Sequence, residues 1–370
     1  MTIKNKAYIN NTALICCSGN NEKQLFENIC NQNSYIKTDS NYFNNTPAAI
    51  GKISSDMNFF DNLKVKCKEI LKASNLENFE DTLLVIGSSV GGIAITEDTY
   101  LKSGSYEKID PNYHNIQTIN NILQTEFNFY DDISFSTACT SSANALGYAL
   151  EVIQKGIYKN VLVLGVDQLS QTTVGGFLSL GVLSNEPCKP FDTNRNGMNV
   201  SEAIACLLVQ STPLENSIEI CGVGYSSDAY HMTHPHPDGM GAKSAMEKAI
   251  LNANLSTVDI DYINAHGTGT GANDSAEANA IESLFGNIPY VSSTKSITGH
   301  TLGAAGALEA IICKLIINNQ LIPTSTNLSD IENINIKLSI QNINQNINYA
   351  ISNSFAFGGN NCSLVFGKIK

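Results

Sequence analysis

The 370-residue sequence predicts an α/β fold made of two similar halves. Three observations carry that reading. Short β-rich runs end in glycine or another small residue, and each is followed by a helical pattern. Around residues 133–165 the order is strand, helix, strand, as in a buried parallel sheet. After the polar break Ser211–Asn216 the same pattern starts again. The expected boundary gives one half over 1–212 and a second over 213–370.

In chain order, Thr82–Gly87 reads as a strand running into a Gly/Ser turn, and Ile133–Ser136 as a strand leading to Thr137-Ala138-Cys139. A helix continues to Lys155, where Gly156 can stop it. Val161–Gly165 and Ile204–Val209 are apolar strands. In the second half, Ile218–Val223 reads as a strand, Gly241–Ala253 as a helix and Asp261–Asn264 as a short strand. Gly303–Asn318 is an apolar Ala/Gly-rich helix and Ser363–Phe366 closes as a strand. The Asn/Ile-rich stretch Ile331–Asn348 alternates in a way that suits an edge strand.

Composition narrows the function. A net charge of −12 with 22 Lys+Arg argues against binding a nucleic-acid backbone, whose affinity comes mostly from cations. No run of about 18 apolar residues occurs, so no membrane-spanning helix is expected. The polar start lacks a secretory signal, and the ten scattered cysteines form no CxxC pair, which suits reduced thiols in a cytoplasmic protein.

Four motifs carry chemistry. Cys139 stands at a strand-to-helix turn among small residues, where the helix dipole favours a thiolate nucleophile. His266 ends a strand inside the Gly/Thr loop Asn264–Thr270, facing a cleft with two threonine hydroxyls, Thr268 and Thr270. Lys295 and His300 lie five residues apart ahead of the helix that carries Glu309. Asn353–Asn361 is a glycine loop with aromatic residues, able to lend a backbone N–H to an oxyanion and to swing an aromatic gate. Taken singly, each has an ordinary reading: a buried free cysteine, a core histidine, a packed loop.

Together, in this order, the motifs resemble those of an elongating β-ketoacyl-acyl-carrier-protein synthase, a ketosynthase of the thiolase-like superfamily. Gly87–Gly92, Lys189–Gly197 and Ser226–Thr233 extend the resemblance over most of the chain. It implies a thiolase-like fold, with two mixed-sheet halves in five αβαβα layers. It also implies that Cys139 is acylated, that His266 and His300 are the paired histidines, and that Lys295 is a buried cation tied to Glu309. The N–H groups of Cys139 and Phe357 would form the oxyanion hole, and Thr268 and Thr270 would bind the phosphopantetheine arm. Asp228 would lie in a loop moving with the gate, and Phe177 would line the acyl pocket. The implied partner is an acyl-carrier protein, in a homodimer or in a heterodimer with a related chain, without cofactor or metal. The reaction would be decarboxylative condensation in fatty-acid or polyketide synthesis.

The chain departs from the family pattern at its opening, Ala13–Asn20, at Ala356 and Asn360 in the gate loop, and at Gly269 and Gly271. A non-catalytic partner resembling a chain-length factor is the other class considered; an intact Cys139 argues against it. His231, His234 and His236 lack a standard zinc spacing. Lys64, Lys68 and Lys72 form a basic stripe suited either to solvent or to an acidic carrier. Arg195, the sole arginine, falls inside the Lys189–Gly197 motif, where a planar fork is expected to act structurally.

Overall fold

The computed structural model describes residues 5–332 and 334–369. Eleven of the strands it places join one mixed sheet: β1 Ala7–Cys16, β2 Leu83–Gly87, β3 Asp132–Phe135, β4 Asn160–Asp167, β5 Ala203–Gln210, β6 Ile218–Ser227, β7 Tyr262–Asn264, β8 Tyr290–Ser292, β9 Lys337–Leu338, β10 Tyr349–Phe355 and β11 Asn360–Lys368. Their spatial order is β9-β8-β7-β10-β11-β6-β1-β5-β4-β2-β3.

The repeat expected from the sequence is visible in this order. The first arm runs β3-β2-β4-β5-β1 and the second β8-β7-β10-β11-β6, the same path with β9 added beyond β8. In both arms the outer three strands pair in parallel and the inner two pairings are antiparallel. The ladder is continuous rather than two separate sheets. β1 pairs along its length with β5 and, through Ala7–Ile9, with Ile218–Ile220 of β6.

Strand alternation sorts side chains into layers. One face of the first arm (Leu84, Ile86, Leu162, Leu164) packs on helix α1, Phe59–Ala73, and on the helix Gln117–Phe127. The other face (Val85, Val161, Val163) packs on two central helices, α2 Ser141–Gln154 and α5 Ala305–Asn319, which also receive Ala350 and Leu364 from the second arm. Beyond the second arm lie α3 Met240–Asn252 and α4 Gly271–Phe285, against Ile263, Val291, Ile351 and Val365. The result is the expected αβαβα layering. At Gly306 a Cβ would stand 2.6 Å from the Ala143 nitrogen, so glycine lets α5 and α2 touch backbone to backbone.

Leu302–Asn319 meets the length and composition of a membrane-crossing helix, although Glu309 and Lys314 interrupt it, and 89% of it is buried inside the protein, where it is a central helix. One expectation needs correction. The stretch from Ile331 to Asn348 holds only two-residue strands, Lys337–Leu338 and Ile343–Asn344, because its asparagines favour turns over extended ladders; position 333 lies outside the described residues.

Candidate active site

The site forms where the loops after β3, β7, β8 and β10 converge. After β3 the chain turns through Ala138, a non-glycine residue at φ +52°, a conformation costing about 1–3 kcal/mol. Local hydrogen bonds hold it: Ser141 Oγ donates to the Ala138 carbonyl at 2.6 Å and Thr140 Oγ1 to that of Thr137 at 2.7 Å. The turn sets Cys139 at the N-terminal end of α2, 8% exposed.

The sequence leads one to expect a thiolate there. The structure corrects this: burial pushes the Cys139 thiol up to about 11, although the Lys295 charge and the Phe357 N–H pull it down. Desolvating a thiolate outweighs what a helix end supplies, so the resting group is a thiol.

His300 brings Nε2 to 3.1 Å from the Cys139 sulfur. The Leu302 N–H donates to its Nδ1 at 3.3 Å, which leaves the proton of the neutral ring on Nε2. Leu302 itself sits at φ +53°. His266, at the end of β7, crosses His300 edge to face with ring centroids 5.2 Å apart. The N–H groups of His266 and Gly267 each donate at 2.8 Å to the Glu277 carboxylate on α4. Burial first, then the charge of Lys295, holds both imidazoles well below the usual histidine range, so both are neutral at pH 7.

Lys295 is itself buried and pairs with Glu309 at 2.5 Å, the two side chains 1% and 3% exposed. The pair puts a positive charge behind the histidines without spending either of them as an imidazolium. One ring nitrogen of each histidine and the cysteine sulfur lie within 4.8 Å of one another. That donor set could also take a soft divalent ion, but the adjacent ammonium opposes a second positive charge there.

Phe357 directs its N–H at Cys139 and stands 6.2 Å, ring to ring, from Phe177. Gly358 and Gly359 follow in left-handed conformations. Asp228 N donates to the Gly359 carbonyl at 2.7 Å, and a Cβ on Gly359 would come within 1.7 Å of the Asp228 carbonyl oxygen. The Asp228 carboxylate accepts from the Tyr230 and His236 N–H groups, so the loop it organises is tied to the turn at Gly359. Thr268 and Thr270 line the same cavity with their hydroxyls 2.9 Å apart. The cavity measures about 40 Å³, enough for water but not for an acyl chain.

The other sequence candidates fall outside this cluster. His231 and His234 face each other near the mouth with Nδ1 atoms 3.1 Å apart, whereas His236 turns to Tyr230. Of the basic stripe on α1, Lys68 is taken up by Glu126 at 2.5 Å. Arg195 is 8% exposed and spans the Asp192 carbonyl, Ser275 Oγ and Glu332, joining its loop to the start of α4. The sequence reading missed Glu277 and the buried Asp167. The signal for Glu277 was present: an acid eleven residues beyond His266 on a helix that follows the loop at once.

Residues 63–214 match the family described as beta-ketoacyl synthase, N-terminal domain, and residues 218–329 its C-terminal domain. The chain is similar to a 3-oxoacyl-[acyl-carrier-protein] synthase 2 of Coxiella burnetii, 36% identical over 312 residues, covering 77% of this chain and 75% of the relative. The enzyme of the same name from Vibrio harveyi is 34% identical, with 79% and 77% covered. Among solved structures, the complex of a ketosynthase with its chain length factor from Xenorhabdus doucetiae contains a chain that superposes with a TM-score of 0.88 at 30% identity, covering 99% of this chain and 98% of that one. On the fold, on the buried cysteine and its two histidines, and on these relatives, the chain belongs to the β-ketoacyl synthase family of condensing, acyl-transferring enzymes.

Proposed function

We propose that the protein condenses an acyl thioester with malonyl-acyl-carrier-protein, with loss of CO₂, to give a β-ketoacyl-acyl-carrier-protein. The observation that carries this is the arrangement of Cys139, His266 and His300 within 4.8 Å, both imidazoles neutral, beneath a gate whose N–H points at the sulfur.

In the first half-reaction the Cys139 sulfur attacks the carrier thioester, the C–S bond to the carrier breaks, and the thiol proton ends on the departing phosphopantetheine thiolate. The N–H groups of Cys139 and Phe357 hold the tetrahedral oxyanion. His300, with its proton on Nε2, supports the sulfur as it gains charge. In the second, His266 and His300 donate to the malonyl thioester carbonyl, CO₂ departs, and the enolate carbon attacks the acyl-Cys139 carbonyl. The C–S bond to Cys139 breaks and the thiolate takes a proton from solvent. Neutral imidazoles suit this step because each brings a hydrogen-bond donor to one developing negative charge. Thr268 and Thr270 hold the arm, and Phe177 and Phe357 border the acyl chain once the gate swings.

The partner in this reading is an acyl-carrier protein. The chain pairs with a second copy or a related chain; its similarity to the ketosynthase and chain-length-factor complex supports the latter arrangement. The chain divides at 212/213, between two arms of equal strand order, and works in the cytoplasm. Incubation with acyl-carrier and intact-mass measurement tests the first step: an acyl adduct forms on the wild type and is absent from Cys139→Ala. No adduct on the wild type, or one that survives in the variant, overturns the assignment.

A further inference from the structure

Asp167 ends β4 on the side of the sheet that faces the active site, and the reaction as written leaves it unused. It is 1% exposed, and burial pushes its carboxyl up to about 6 against five hydrogen bonds from four groups. Oδ1 accepts from Ser88 Oγ at 2.6 Å and from the Ser89 and Val90 N–H groups at 3.0 Å; Oδ2 accepts from Ser89 at 3.0 Å and from the Gly303 N–H at 2.6 Å. Among the described residues no cation pairs with it; fixed hydrogen-bond donors solvate it.

The Gly303 contact is the informative one. Gly303 follows Leu302, the residue at φ +53° whose N–H occupies Nδ1 of His300. A leucine in that conformation relaxes unless the next peptide is held. Asp167 holds it, from a strand 136 positions earlier in the chain. We propose that Asp167 is a positioning residue for His300: by anchoring the Gly303 amide it keeps the Leu302 N–H on Nδ1, and so keeps the His300 proton on Nε2, facing Cys139 and the substrate. This rests on the condensing reaction proposed above but is readable without it.

An amide at this position cannot replace the carboxylate. In Asp167→Asn one of the two terminal atoms becomes an NH₂ facing either Gly303 or the 88–90 amides, and that side of the clamp opens. The primary test is a spectrum of the ¹⁵N-histidine-labelled full chain, with the His300 signals assigned by their loss in His300→Asn. The wild type shows His300 protonated on Nε2; a wild type protonated on Nδ1 overturns the proposal before any variant is made. Asp167→Asn shifts His300 toward a mixture of the two tautomers, whereas Ser88→Ala, which removes a donor from the same carboxylate but leaves Gly303 bound, does not. An unchanged His300 spectrum in folded Asp167→Asn whose Gly303 amide has lost its protection from exchange refutes the proposal. If that variant does not fold, Asp167→Glu takes its place, with the Nε2 tautomer expected wherever the Gly303 contact is restored; loss of that tautomer while the Gly303 amide stays protected from exchange refutes it.

A kinetic cycle complements the spectrum. Asp167→Asn lowers malonyl-carrier decarboxylation by about 10–100-fold, the range for groups that orient a functional imidazole from behind. In the His300→Asn background it lowers it no further. An equal further loss there means Asp167 does not act through His300. Because the tautomer is read without substrate, failure of this inference and failure of the proposed reaction give different results.

Discussion

Replacing Lys295 by methionine isolates the energetics of the buried charge behind the histidines. The pair with Glu309 is closed at 2.5 Å and its side chains are 1% and 3% exposed, so solvent screens almost none of the loss. Removing one partner of such a pair strands the other charge, at about 3–5 kcal/mol. With an unfolding entropy of about 2.1 cal/mol/K per residue across the 370 residues, Tm falls by about 4–6 °C. The pH dependence is more diagnostic. Burial already raises the Glu309 carboxyl, and Lys295 is what opposes that rise. Without the lysine the folded value climbs further above the unfolded one of about 4.3. A group raised in the folded state stabilises below its unfolded pKa and loses that contribution as pH rises through the folded value. The deficit of Lys295→Met relative to wild type is therefore smallest near pH 5 and grows toward pH 8. Lys295→Met/Glu309→Gln recovers most of it. The assay is thermal unfolding of all three proteins across that range. A deficit that is flat or grows toward pH 5, or a double variant no better than the single one, refutes the reasoning.

Three further outcomes follow from the same geometry. Below about 11 the Cys139 thiolate fraction rises tenfold per pH unit, so its alkylation by iodoacetamide, mapped by mass, accelerates from pH 7 to 10 without a plateau; a plateau below pH 8 contradicts the buried-thiol account. Arg195→Lys cannot span the Asp192 carbonyl, Ser275 and Glu332 with one ammonium and loses about 1.5–3 kcal/mol of stability in denaturant unfolding, while a variant as stable as wild type shows the fork to be dispensable. Gly359→Ala places a methyl against the Asp228 carbonyl in a backbone at φ +79°; strain of about 1–3 kcal/mol slows acyl transfer to Cys139 about tenfold or more, and an unimpaired rate removes the Asp228 loop from gating.

The fold was legible where periodicity and punctuation agree. Val161–Gly165 and Ile204–Val209 are short apolar runs that could only be buried strands, and both are. The two-part repeat was legible, but the strand order within each arm was not, because it lives in pairing between distant strands rather than in shared residues. At the site, Cys139, His266, Lys295 and His300 stood out because each follows a strand or turn among small residues, and the fold brings them together. The state of Cys139 did not follow from the sequence: the dipole argument needs only a helix start, whereas the opposing burial depends on what closes over the sulfur, including Phe357 from 218 positions later. Asp167 stayed hidden because three of its four donors are the backbone amides of Ser89, Val90 and Gly303, which carry no sequence signal.

The central claim is that one buried cysteine and two neutral histidines divide a condensation into acyl transfer and decarboxylative attack. The most direct measurement supplies acyl-carrier and malonyl-carrier together and follows both protein adduct and carrier product by intact mass, in wild type, His266→Asn and His300→Asn. The account predicts a β-ketoacyl-carrier from the wild type, and from both variants acyl-Cys139 without that product. Full product yield from either histidine variant, or product from the wild type without passage through acyl-Cys139, would contradict it.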